Sequence, residues 1–206
     1  MTDRTLQEWA EWLGREMPDA AIHVSTEPLT AFTPCPVSDQ YEPSQVGGKR
    51  RGDKPRGLWY GVGSAWVDWM VSERWWPSPP RFVSVATRPA RILRINNLDA
   101  FDNFCSNYGS GQNAWLACDL NKGIHWRRIA LEYDGIEIAP YLDDRRLDYA
   151  CAWYYTWDCA SGCIWRGDVT VETLGEVDVD ADGKPRGLSK PVWEYDAQDD
   201  DIKRST

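Results

Sequence analysis

The sequence has few histidines and lacks the motifs that mark several common classes of enzyme. Only His23 and His125 occur among its 206 residues, and they form no H-E-x-x-H pattern. There is also no P-loop, no G-x-G-x-x-G fingerprint and no G-x-S-x-G elbow. These absences argue against histidine-based metallohydrolases, P-loop nucleotide hydrolases, Rossmann dehydrogenases and α/β-hydrolases.

Long apolar runs are missing as well. No stretch reaches the roughly 18 uninterrupted apolar residues that a membrane-spanning helix needs, and Met1-Thr2-Asp3-Arg4 leads into a polar helix without an apolar signal core. We therefore expect a protein of the cytoplasm with no membrane contact. Cysteines occur at 35, 105, 118, 151, 159 and 163. In a reducing compartment they should be free thiols, and without C-x2-C pairs we predict no metal site.

Positive charge is in the minority, because 32 acidic residues outnumber 23 basic ones and the net charge is −9. Such a chain gains little from the counterion release that drives binding to nucleic acid. We interpret the basic clusters, at 49–56 and 127–128, as solvated loop and helix charge. Acidity of this degree is compatible with a non-enzymatic interaction protein. Such a protein could inhibit a host factor or mimic DNA.

Local patterns predict the order of the elements. Thr5 and Glu8 form a capping box at the start of a helix that ends before Pro18. Further helices are expected at 65–73, at 98–108 with Asn97 as N-cap and Gly109 as C-cap, and at 124–133. Strands are expected at 20–25, 57–63, 82–86, 90–95, 136–138, 152–157 and 163–165. Alternating valines at 169–179 and an Asp182-Gly183 turn predict a hairpin.

These elements indicate one α+β domain over residues 1–188. We expect a small split sheet, mixed or antiparallel, with about four flanking helices. Residues 33–56 are rich in proline, glycine and charge, which predicts a long flexible loop. Residues 189–206 are acidic and are expected to form a loose tail. The thirteen tryptophans should mostly be buried, and a few could stack on a planar ligand.

Three segments carry a candidate site. His23-Val24-Ser25 lies on the first strand, Trp59-Tyr60 lies on a glycine-bounded strand that leads into Ser64-Ala65-Trp66, and Asp158 follows a late aromatic run. This order resembles the histidine-tyrosine-glutamate branch of the ADP-ribosyltransferase superfamily, which includes the poly(ADP-ribose) polymerases. The segments 54–59 and 157–165 also look like uncharacterised proteins carried by bacteriophages.

The resemblance implies a role for each of these positions. His23 and Ser25 would hold NAD, which is a substrate in this family, and Trp59, Tyr60, Ser64 and Trp66 would form the wall on which nicotinamide stacks. The family's catalytic acid is a glutamate. Asp158, one methylene shorter, is our first candidate for it, and Glu137 is the second. The implied function is NAD-dependent ADP-ribosylation of a host protein or nucleic acid in the host cytoplasm. A non-enzymatic acidic interaction protein remains the alternative.

Overall fold

A computed structural model describes residues 4–37, 54–73, 82–109, 124–182 and 185–189. The elements in chain order are β1 (Arg4–Thr5), α1 (Leu6–Glu16), β2 (Ala21–Ser25), β3 (Leu58–Val62), α2 (Ala65–Glu73), β4 (Phe82–Ala86), β5 (Ile92–Ile95), α3 (Leu98–Tyr108), α4 (Trp126–Glu132), β6 (Gly135–Ile138), α5 (Asp143–Arg146), a 3₁₀ segment (Tyr149–Thr156), β7 (Ser161–Ile164), β8 (Val171–Val179) and β9 (Pro185–Ser189). In the described ranges, no helix combines the length and apolar character that crossing a membrane requires.

The chain contacts divide into two compact units. The first contains residues 1–32, 60–87 and 169–206, and the second contains 33–59 and 88–168. The boundary between Trp59 and Tyr60 falls inside β3. We predicted one domain over 1–188, and we describe the two units one at a time.

The first unit is an antiparallel sheet with two helices on one face. Its strand order is β1-β9-β8-β4-β2-β3. Trp9 and Leu13 of α1, together with Val67 of α2, pack on Ile22 and Val83 of the sheet. Because Trp9 and Leu13 are four residues apart, they lie on one side of α1. The predicted first helix is therefore confirmed, and the apolar face that its sequence pattern indicates is the face that the protein buries.

The second unit contains both parallel and antiparallel strand pairs. β5 runs parallel to β6, with Arg94 opposite Glu137, and β6 runs antiparallel to β7. A parallel pair needs a crossover connection, and the chain between β5 and β6 contains α3 and α4. Asn97 caps α3 as predicted, since its Oδ1 accepts from the Ala100 N–H at 2.8 Å. With this mixed pairing, the predicted α+β class with a mixed sheet flanked by helices is confirmed.

The strand predicted at 152–157 is wrong, because residues 152–156 lie within a 3₁₀ helix and Trp157 follows it outside any strand. In a strand, the side chains of Trp153 and Tyr154 would point to opposite faces. In the structure both rings meet Phe101, with centroids 5.4 Å and 4.9 Å away. Both side chains are fully buried. Packing around Phe101 thus favours helical turns over the strand that the aromatic composition suggests.

Two predicted irregular segments fall largely outside the described residues. Of the loop predicted at 33–56, both described ends pack in the second unit. The Cys35 N–H donates to the Trp165 carbonyl at 2.9 Å, and Pro55 is buried. Residues 38–53 lie outside the described ranges. Of the predicted tail, Ser189 ends β9, and residues 190–206 also lie outside. The predicted hairpin is present as β8 and β9. Of its predicted Asp182-Gly183 turn, Gly183 lies outside the described residues.

Candidate functional site

Three of the predicted NAD-binding residues share one face of the sheet in the first unit. His23 and Ser25 alternate along β2, so their side chains point the same way. β3 runs antiparallel beside β2, with Ile22 opposite Gly61. In this register His23 and Tyr60 are the next residues to face each other, so their side chains lie on the same face of the sheet. His23 and Ser25 are half-buried and Tyr60 is buried.

This face continues as a polar row across two more strands. His23 stands opposite Ser84 of β4, and Ser84 stands opposite Thr173 of β8. The two hydroxyl oxygens of Ser84 and Thr173 are 3.4 Å apart, and Ser84 has no exposed surface. The Ser25 hydroxyl donates to the Glu27 carbonyl at 2.6 Å. Neither Ser84 nor Thr173 was predicted, although a serine in the middle of the apolar run 82–86 was an available signal.

Trp66 lies on the other side of this sheet. Trp66 packs directly on Gly61, since a Cβ added to Gly61 would stand only 2.6 Å from the Cβ of Trp66. Gly61 and Ile22 face each other across β3 and β2, so the start of α2 lies on the face of Ile22. His23, the next residue on β2, points the opposite way. The Trp66 ring packs on Trp69 at 5.5 Å, and both rings are half-buried. The structure therefore groups Tyr60, but not Trp66, with His23.

Ser64 belongs to the packing of the two helices. Its carbonyl accepts from the Asp68 N–H at 2.9 Å, which begins the hydrogen bonding of α2. Its hydroxyl faces α1, since a Cβ on Gly14 would lie 3.4 Å from the Ser64 Oγ. Because α1 packs on the face of Ile22, Ser64 lies on the helix side of the sheet with Trp66.

Trp59 and Asp158 both lie in the second unit. The ring of Trp59 meets the ring of Trp157 edge-on, with centroids 4.9 Å apart. Lys54 Nζ stands 4.9 Å over the Trp59 ring, and the Trp59 indole donates to the Pro55 carbonyl at 3.2 Å. Asp158 directly follows Trp157, so the structure brings this carboxylate to the neighbourhood of the Trp59 contact.

Asp158 itself is partly exposed. A quarter of its side chain is accessible, and its Oδ1 accepts from an Arg146 guanidinium nitrogen at 3.3 Å. Arg146 also lies over the ring of Tyr155, with 5.9 Å between the guanidinium carbon and the ring centroid. The carboxylate thus sits at the surface of the second unit with a cation beside it.

Glu137 is more deeply buried and has two cations beside it. Its side chain is 7% exposed, Arg88 donates to one of its oxygens, and Arg94 stands 3.8 Å from the other. Arg94 is also its partner in the register of β5 and β6. A buried carboxylate with two arginines has the surroundings of a structural ion pair.

A second buried carboxylate, Asp134, was not predicted. Arg91 donates to both of its oxygens, at 2.7 Å and 3.0 Å, and Arg166 donates at 2.6 Å. Burial raises the pKa of Asp134, but the hydrogen bonds from Arg91 and Arg166 outweigh it and hold the pKa below its usual value of 3.8. The Asp134 carbonyl also accepts from the Trp165 and Arg166 N–H groups. Asp134 therefore connects the start of β5, the start of β6 and the end of β7.

An open cavity of about 620 Å³ lies at the carboxyl ends of the parallel strands β5 and β6. Its lining residues are those that follow the two strands: Asn96, Asn97, Leu98, Asp99, Pro140, Tyr141, Leu142, Asp143 and Asp144. The three carboxylates at 99, 143 and 144 are exposed, so the rim is acidic. Burial raises the pKa of Tyr141 to about 12, and its hydroxyl donates to the Trp157 carbonyl at 2.6 Å. None of the predicted site residues lines this cavity.

The candidate residues are divided between the two units. His23, Ser25, Tyr60, Ser64 and Trp66 belong to the first, and Trp59, Glu137 and Asp158 belong to the second. Within the described parts of the chain, no three histidine, cysteine or acidic side chains are grouped so that they could hold a metal ion.

Comparisons of the chain with models of known families, with curated proteins and with solved structures find no match. Its function has to be inferred from its own residues and their arrangement.

Proposed function

We propose that this chain is an NAD-dependent ADP-ribosyltransferase. The observation that supports the proposal is the common face of His23, Ser25 and Tyr60 on the adjoining strands β2 and β3. The ADP-ribosyltransferase resemblance implies a histidine and a hydroxyl residue on one strand and an aromatic residue on the strand that follows. A nicotinamide ring needs a flat apolar surface and a ribose needs hydrogen-bond partners. His23 and Ser25 carry hydrogen-bonding groups and Tyr60 carries a flat ring, so the three residues have the chemistry that both kinds of contact require.

The reaction replaces the bond between nicotinamide and ribose with a bond to an acceptor. As nicotinamide leaves with the bonding electrons, positive charge develops on the ribose, and a nearby carboxylate stabilises it. The acceptor's nucleophilic atom then bonds to the ribose carbon, and its proton passes to the carboxylate acting as general base. In this scheme His23 donates to a ribose hydroxyl and fixes the orientation of the sugar.

Of the two candidate acids, Asp158 is the better choice. It is a quarter exposed and stands 3.3 Å from Arg146, so an acceptor can approach it. Glu137 is 7% exposed and lies between Arg88 and Arg94. The two arginines therefore already neutralise the charge of Glu137, and this ion pairing stabilises the second unit. We assign the acid role to Asp158 and a structural role to Glu137.

The test is turnover of NAD labelled in its ADP-ribose part, with bacterial lysate as acceptor. Wild-type protein should release nicotinamide and attach label to a macromolecule. Asp158→Asn keeps the size of the side chain and removes its charge. It should lower the rate by about two orders of magnitude or more, which is typical of losing one electrostatic stabiliser.

Two controls make this test specific. Glu137→Gln should reduce thermal stability through loss of the Arg88 contact while the rate per folded molecule stays the same. Circular dichroism of Asp158→Asn should match that of the wild type. If Glu137→Gln abolishes turnover in a folded protein and Asp158→Asn does not, the acid has been assigned to the wrong residue. If the wild type consumes no NAD, the transferase proposal fails.

A non-enzymatic acidic interaction protein is the second candidate. It is favoured by the net charge of −9 and by the exposed carboxylates of Asp99, Asp143 and Asp144 around one cavity. Such a surface would bind a basic host protein in a salt-dependent way. Changing these three residues to asparagine would then weaken capture of that protein several-fold and leave NAD turnover unchanged. Capture that is insensitive to both salt and this triple substitution would contradict it.

A further inference from the structure

Two cysteine side chains lie next to each other in the second unit. The Sγ of Cys105 in α3 is 3.7 Å from the Sγ of Cys151 in the 3₁₀ segment, although the residues are 46 positions apart. Cys151 is 4% exposed and Cys105 is half-buried. One edge of the pair therefore faces solvent.

Neighbouring contacts hold the two sulfurs at this separation. Phe101 of α3 stacks on Trp153 of the 3₁₀ segment, with centroids 5.4 Å apart and the rings only 11° from parallel. Arg145 of α5 donates to both carboxylate oxygens of Asp102 in α3, at 2.8 Å and 2.6 Å. The aromatic stack and the ion pair lie in the same two stretches of chain as the cysteines, so packing of the fold brings the thiols together before any covalent bond forms.

We propose that Cys105 and Cys151 form an oxidant-sensitive dithiol that closes a reversible disulfide. The oxidant would be a hydroperoxide or a low-molecular-mass disulfide. An S–S bond is about 2.05 Å long, so the sulfurs have to approach by less than about 2 Å. Cys151 sits at a kink between helical turns, with φ −119° and ψ 31°. Its backbone is not part of a continuous helix and can accommodate the movement. This proposal does not depend on the transferase function.

The chemistry requires no group beyond the two thiols and the oxidant. One thiolate attacks the O–O bond of a hydroperoxide, which releases an alcohol and leaves a sulfenic acid. The second thiol attacks that sulfur, the S–S bond forms, and water leaves. Two electrons and two protons pass from the thiols to the hydroperoxide. The contact assists the first step, because the hydrogen bond from Cys105 lowers the pKa of Cys151.

Cys35 provides a matched control. It is half-buried like Cys105, but its Sγ lies beside the Pro36 carbonyl, at 3.8 Å. Cys163 is fully buried, with its Sγ 3.8 Å from the Pro55 carbonyl. A disulfide between Cys105 and Cys151 closes a long loop, so it should raise the melting temperature by about 5–15 °C. A mixed adduct on Cys35 closes no loop and should raise it little.

The experiment exposes the full-length wild-type protein to oxidised glutathione or hydrogen peroxide. We expect thiol titration in denaturant to fall from six to four, and peptide mapping to recover one cross-link between residues 105 and 151. Dithiothreitol should restore all six thiols and the lower melting temperature. Cys105→Ala and Cys151→Ala should each prevent the cross-link, and Cys35→Ala should still form it.

Cys151 is buried, so Cys151→Ala could prevent folding. Cys105→Ala removes the more exposed sulfur, and this variant tests the cross-link even in that case. Three outcomes would overturn the proposal. They are a cross-link to another cysteine, a glutathione adduct that never closes a ring, and no loss of thiols under conditions that oxidise a free cysteine.

Discussion

The ring of Trp59 packs edge-on against the ring of Trp157, with 4.9 Å between their centroids. Trp59 lies on β3 and Trp157 immediately precedes Asp158, so two residues about 100 positions apart in the chain are joined in the second unit. Within that unit, the contact places Trp59 beside the residue that precedes our candidate acid. It is the clearest structural connection between two of the segments that the sequence analysis singled out.

Asp134 should make stability depend on pH. Because its pKa in the folded protein lies below the usual 3.8, its stabilising effect is fully present above about pH 5 and is lost as the pH falls through the folded pKa. Asp134→Asn should lower the free energy of unfolding by about 1–3 kcal/mol at pH 7. Urea unfolding at pH 7 and pH 3 measures the difference, which should shrink at pH 3. A constant difference would contradict this account.

Two fully buried tryptophans should respond differently to the same substitution. The indole N–H of Trp165 donates to the Tyr133 carbonyl at 2.9 Å, whereas that of Trp126 meets no acceptor among the described residues. Both side chains are 1% exposed. Changing either to phenylalanine removes similar volume, but only Trp165→Phe takes a hydrogen-bond donor away from a carbonyl, that of the half-buried Tyr133. It should cost about 1–3 kcal/mol more in unfolding free energy than Trp126→Phe. Equal losses would contradict the assigned bond.

Two glycines of the first unit should give opposite results when changed to alanine. Gly63 has φ +57°, and a Cβ there would meet the Pro18 carbonyl. Gly63→Ala should therefore destabilise the protein by about 2 kcal/mol or more. Gly14 is exposed in α1, where a Cβ finds only ordinary contact with Ser64. Gly14→Ala should stabilise by about 0.5–1 kcal/mol. Thermal melts of the two variants measure both effects, and a destabilised Gly14→Ala protein would show that α1 is placed differently.

Local sequence signals predicted the elements that depend on local chemistry. Asn97 marks the start of α3 through its own hydrogen bond, and the spacing of Trp9 and Leu13 identifies the buried side of α1. These features depend on neighbours within four residues. The 3₁₀ segment was missed because its form depends on Phe101, about 50 residues earlier in the chain.

The candidate site was harder to predict than the elements that carry it. Sequence order places Trp66 close after Tyr60, but it does not say on which face of the sheet α2 packs. The contact of Trp66 with Gly61 shows that Trp66 and His23 lie on different faces of the sheet. Ser84, Thr173 and the Asp134 network were also missed. Each depends on strand register between distant segments, and register is determined by tertiary packing.

The most direct test of the transferase proposal is an equilibrium titration of the protein with NAD, followed by tryptophan fluorescence. Wild-type protein should show saturable quenching. His23→Ala should bind about 5- to 150-fold more weakly, since loss of a buried hydrogen bond costs about 1–3 kcal/mol. Asp158→Asn should bind about as tightly as the wild type, because its carboxylate acts on the transition state. A wild-type signal that does not change at millimolar NAD, or a His23→Ala protein that binds as the wild type does, would contradict the assignment of His23 to an NAD site.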